Sequence, residues 1–89
     1  MLFAVICDDK PGGLELRKAN REAHLAYLKE TGAVLAGPFL DEAGDMCGSL
    51  VVIEAADRAA AESWAANEPY GKAGVFKSLS IRPWKRVIG

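Results

Sequence analysis

The sequence predicts an α+β fold: a ferredoxin-like βαββαβ sandwich, with helices on one face of an antiparallel sheet. Three observations carry that expectation. Apolar, β-branched runs alternate with helical stretches that contain neither glycine nor proline. The middle two apolar runs are separated only by Asp41-Glu42-Ala43-Gly44-Asp45, a turn short enough for a hairpin. The composition, 51% hydrophobic and 26% charged over 89 residues, is that of a globular chain with one small core.

Each element follows from local chemistry. Met1–Cys7 is β-branched and aromatic, and Asp8-Asp9-Lys10 with Pro11-Gly12-Gly13 ends it, so it reads as a strand and a turn. Leu14–Thr31 holds strong helix formers up to the stop at Gly32. Ala33–Leu40 is a strand bent at Gly37-Pro38, and Met46–Glu54 returns antiparallel to it. Asp57 caps an alanine-rich helix reaching about Asn67. Glu68–Gly74 is a loop or single turn, and Val75–Trp84 is the last strand. That strand has apolar residues on both phases, so two sheets are expected to pack face to face in a homodimer of the dimeric α+β barrel type. One domain, residues 1–89, is expected.

Charge and composition exclude several classes. A formal net charge of −1 provides neither a basic field for nucleic acid nor a polybasic run for lipid. The apolar N-terminus is short and lacks a basic leading region and a cleavage site, so neither a signal peptide nor a membrane span is expected, and the cytoplasm is the expected location. Cys7 and Cys47 have no metal-ligand spacing and sit in apolar runs, where cysteine behaves as a small hydrophobe. Trp64 and Trp84 read as core or interface anchors. No metal is expected, and with no nucleotide-phosphate motif, no organic cofactor either.

The chain has a single histidine, His24. At ~100° per residue, Arg17, Arg21 and His24 fall within an arc of roughly 60° on the first helix, beside Leu28. Leu16, Ala19, Ala23, Ala26 and Tyr27 form the opposite stripe, expected against the sheet. A solvated basic edge is the plainer reading of the His24 face. Against it, imidazole titrates near physiological pH and suits proton transfer, and a nearby arginine suits an oxyanion. An orienting carboxylate must come from elsewhere: Asp8, Asp9 or Glu68. Pro69 keeps Glu68 out of the α region and so fixes its direction. Gly48-Ser49 lies within a strand, where glycine admits either the close approach of another group or packing under a helix.

Taken together, Asp9-Lys10-Pro11-Gly12, Arg17, Arg21-x-x-His24-Leu25-x-Tyr27-Leu28, Ala36-Gly37-Pro38, Gly48-Ser49-Leu50, Asn67-Glu68-Pro69-Tyr70-x-Lys72-Ala73-Gly74 and Arg82-Pro83-Trp84 resemble the YCII (YciI-like) family along nearly the whole chain. The resemblance implies a dimeric ferredoxin-like fold and an acid/base site around a His–Asp pair, and a dehydrochlorinase of a chlorinated hydroxyquinol belongs to that family. By motif position, His24 is the histidine and Glu68 the carboxylate, oriented by Pro69. Arg17 and Ser49 lie where an oxyanion is stabilised, Asp9 supports them, and Arg21 and Tyr70 bind the ligand. The resemblance implies that Asp usually stands where this chain has Glu68, one methylene longer. The expected function is acid/base chemistry of the lyase, dehydrohalogenase or isomerase kind on a small anionic or aromatic molecule. The alternatives are a non-catalytic, stress-associated module that binds a small anionic ligand, and a dimeric structural or regulatory subunit.

Overall fold

β-branched and aromatic residues at alternate positions build the centre of the sheet. In the computed structural model, which describes residues 1–89, β1 (Leu2–Asp9) lies between β3 (Met46–Glu54) and β4 (Phe76–Trp84), and β2 (Leu35–Leu40) flanks β3. The order is β2-β3-β1-β4 and every pairing is antiparallel. Val5 stands opposite both Val51 and Ile81. Side chains of paired residues share a face, so Phe3, Val5 and Cys7 join Val51, Ile53 and Ile81 in one buried layer. Leu28, Ala61 and Ala65 from the helices cover it. The other phase, including Leu2, Ile6, Leu50 and Leu35, faces away from the helices.

The helical layer consists of α1 (Leu14–Ala19), α2 (Arg21–Glu30), α3 (Arg58–Ala66) and the single turn α4 (Pro69–Lys72). Asp57 caps α3, accepting from the Ala60 N–H at 2.8 Å. The Tyr27 hydroxyl donates to the Trp64 carbonyl at 2.8 Å, and Trp64 Nε1 donates to Thr31 Oγ1 at 2.9 Å, which ties α3 to α2. Gly32 ends α2 in the left-handed region at φ 68°. At Gly48 a side chain would run into the Cys7 carbonyl and the Phe39 ring, so the close approach there is made by the protein's own strands.

Two expectations for the first helix are corrected. It is interrupted at Asn20, whose φ is −108°, and whose side-chain amide donates to the Leu16 carbonyl at 2.9 Å. A short amide satisfies a terminal carbonyl of α1 and lets the chain restart as α2. The face against the sheet is also the reverse of the one expected. Leu16, Ala19, Ala23 and Ala26 are exposed, Tyr27 is half-buried, and Arg17, His24 and Leu28 are buried. Small alanines gain little from burial, whereas polar groups enter a core once they are paired. The opening strand also runs two residues further than expected, to Asp9, with a bulge between Asp8 and Asp9. That extension brings Asp9 under α1.

Candidate active site

The buried polar residues are Arg17, His24, Ser49 and Glu68, and they form one cluster. Arg17 projects from α1 toward the end of β1. Its Nε donates to Asp9 Oδ2 at 2.7 Å and its Nη2 to Asp9 Oδ1 at 2.8 Å. The same Nη2 donates to Ser49 Oγ at 2.8 Å. Burial alone would loosen the Arg17 proton, but the hydrogen bond and charge of Asp9 outweigh it and hold it above its usual pKa. The guanidinium is therefore a fixed cation spent on Asp9. Ser49 receives an N–H, so its own hydrogen is left to donate elsewhere.

Glu68 caps α4, with Pro69 at the first helical position, and its Oε2 accepts from the Gly71 N–H at 3.2 Å. Its Oε1 meets His24 Nδ1. Asp8, by contrast, is exposed and accepts from Ser78, and Asp9 is taken by Arg17. No buried side-chain nitrogen or oxygen lacks a partner. Beside the pair, His24 borders open space.

That space is a cavity of about 180 Å³ between α2, β2 and β3. Arg17, Arg21, His24, Ser49 and Tyr70 make its polar wall, and Leu25, Leu28, Ala36, Pro38, Met46 and Val51 its apolar one. Arg21 is exposed at the rim and pairs with no carboxylate. Tyr70 stacks on the imidazole at 3.9 Å and 12°, and Arg17 lies over the Tyr70 ring at 4.5 Å. Burial raises the Tyr70 pKa against the pull of Arg17, so the phenol stays neutral. The sequence placed every polar member of this wall. It missed Met46, which the hairpin register delivers and no spacing in the chain signals. No cluster of three His, Cys, Asp or Glu side chains gathers to hold a metal, and no helix is long and apolar enough to cross a membrane.

Cys7 lies beneath the pair. Burial, and then the negative charge of Glu68, push its thiol up to about 12. Native protein should therefore be alkylated at half-exposed Cys47 alone, and at both thiols in urea, a difference read by intact mass. A folded-state pKa above the unfolded value stabilises below the unfolded one and is lost above it. Stability should then fall as pH climbs from about 9 toward about 12. Urea midpoints should show a shallower fall in Cys7→Ala.

An antiparallel ferredoxin-like sheet with a cavity between α2, β2 and β3 defines the class. The YCII-related domain model matches residues 1–85, and the chain belongs to that family. Protein YciI of Escherichia coli is 38% identical over 98 residues, covering 99% of this chain and all of its own length. Among solved structures, the 5-chloro-2-hydroxyhydroquinone dehydrochlorinase of Burkholderia phenoliruptrix, in complex with 2,5-dihydroxybenzoquinone, superposes with a TM-score of 0.88. It is 35% identical, with 98% of this chain and 96% of that one covered. An antibiotic biosynthesis monooxygenase shares the fold at a TM-score of 0.60 and 17% identity, with 99% and 100% covered.

Proposed function

We propose that the chain is a cofactor-independent acid/base enzyme that performs an elimination or isomerisation on a small oxygenated, anionic or aromatic molecule. The observation that carries this reading is a buried imidazole that meets a carboxylate at Nδ1 and lines a cavity. With Nδ1–H donated to Glu68, Nε2 holds the lone pair and acts as the base. It takes a proton from substrate. The electron pair left behind forms the new double bond while the leaving group departs with its own pair. In an isomerisation the same proton returns at another atom. Glu68 stabilises the imidazolium, and the Ser49 hydroxyl donates to the oxygen that gains charge. Arg21 draws in the anion, while Arg17, neutralised by Asp9, positions Ser49. Likeness to a dehydrochlorinase at 35% identity supports the elimination of chloride.

The test is turnover of 5-chloro-2-hydroxyhydroquinone across pH. His24→Asn should lower kcat/KM by about 10³-fold or more and abolish the rising limb of the profile, while 2,5-dihydroxybenzoquinone still binds. Wild-type rates in His24→Asn would sink the proposal. The working unit is a homodimer of one-domain chains, joined through the sheet face that bears Ile6 and Leu50. Sedimentation should give twice the chain mass, and Ile6→Glu should return it to a monomer.

A further inference from the structure

Two separate sets of hydrogen bonds hold the polar cluster. Arg17 bonds Asp9 and Ser49, whereas Glu68 bonds His24 and the Gly71 N–H. One side chain touches both sets. The Tyr70 ring lies 3.9 Å from the imidazole at an interplanar angle of 12°, and the Arg17 guanidinium stands 4.5 Å from the centre of the same ring. Phe76 meets that ring edge-on at 6.1 Å and 87°, and Tyr70 is 2% exposed. The phenol ring is therefore held by its surroundings as well as by the histidine.

We infer that Tyr70 is a positioning residue: its ring sets the plane of the His24 imidazole and the place of that imidazole relative to Arg17 and Ser49. The inference rests on the acid/base reading and adds what aims the base. Histidine χ2 has no sharp rotameric well, so side-chain geometry alone leaves the ring plane free. Glu68 meets one nitrogen, which fixes an edge and still allows the ring to turn about that contact. A near-parallel aromatic ring against its face removes that freedom. Glu68 and Tyr70 flank Pro69, so one short turn supplies both grips. Arg17, attracted to the π face of the same ring, brings Ser49 into that frame. Aim matters because misplacement of about 1 Å can cost roughly 10²-fold in rate.

The experiment uses the single histidine as its own reporter. In the full-length protein with isotope-labelled histidine, NMR should show one far-downfield resonance, the Nδ1 proton facing Glu68. Tyr70→Leu should lose that resonance to exchange with water, and Tyr70→Phe should keep it. Val75→Ala removes buried packing beside the same turn, where Val75 N–H donates to the Tyr70 carbonyl at 3.0 Å. That variant should lower the urea midpoint and keep the resonance, which separates aim from stability. With 5-chloro-2-hydroxyhydroquinone, Tyr70→Leu should lower kcat about 10²-fold while KM stays within about threefold. Tyr70→Phe should stay within about threefold of wild type in both. Should Tyr70→Leu not fold, Tyr70→Met takes its place, an adaptable side chain that fills the site without a ring. A resonance absent from wild type, or unchanged in the variant without a ring, overturns the inference. So does a raised KM at constant kcat, which would make Tyr70 a ligand contact. The NMR measurement needs no turnover, so failure of the acid/base reading, seen as wild-type rates in His24→Asn, is told apart from failure of this one.

Discussion

Arg17→Met should cost about 3–5 kcal/mol of unfolding free energy, the largest stability loss expected from one substitution in this site. Arg17 is 2% exposed, and the Asp9 side chain that it grips through two hydrogen bonds is 4% exposed. Methionine fills much of the same volume but leaves that carboxylate in the core without a cation. The penalty is therefore that of a buried unpaired charge rather than of a cavity. Urea unfolding would measure it, and Asp9→Leu placed on top of Arg17→Met should restore part of the loss, because it removes the orphan. Arg17→Lys should fold better than Arg17→Met yet lose activity, since an ammonium cannot hold Asp9 in two places while donating to Ser49. A double variant no more stable than Arg17→Met would mean that the pair contributes packing alone.

This pair also shows why the sequence yielded the fold more readily than the way the site is buried. The strand order needed only apolar runs, the short turn at Asp41–Asp45 and the cap at Asp57, all local signals. The grouping of Arg17, Arg21 and His24 on one helix face was equally legible, because it depends on spacing within α1 and α2. The direction of that face was not. Periodicity assigns the apolar stripe to the core, and it fails where the core supplies partners for charge. Asp9 under α1 and Glu68 at the start of α4 come from distant parts of the chain, and no spacing reports that they meet Arg17 and His24 there. The break at Asn20 was hidden for a related reason. Helix propensity sums over a window, whereas one asparagine amide reaching back to Leu16 acts at a single residue. Tyr70 was read as a ligand contact. It lines the cavity and also lies flat on the imidazole, an arrangement set by the turn after Pro69.

Glu68 stands where the family resemblance implies an aspartate, and it carries the largest expected effect on turnover after His24. Its carboxylate performs two tasks at once: Oε1 meets His24 Nδ1, and Oε2 takes the Gly71 N–H at 3.2 Å. The backbone beneath it is in the extended region, φ −70° and ψ 128°, as a residue before proline prefers. From that fixed point the longer side chain spans both partners. Glu68→Asp shortens the reach by ~1.5 Å, so one bond must be given up or the loop must move. Misplacement of that size should lower kcat/KM by about 10²-fold. Glu68→Gln keeps length and cap but removes the negative charge that stabilises the imidazolium, and should cost about 10²–10⁴-fold. The two variants separate geometry from charge. Lengthening the pH series should show Glu68→Asp retaining a wild-type profile at reduced height, whereas Glu68→Gln should shift it. Circular dichroism must show both folded, since Glu68 is 3% exposed and its cap starts α4. If Glu68→Asp matches wild type, the loop has no preference for the longer carboxylate. The pair would then work as well without the extra methylene.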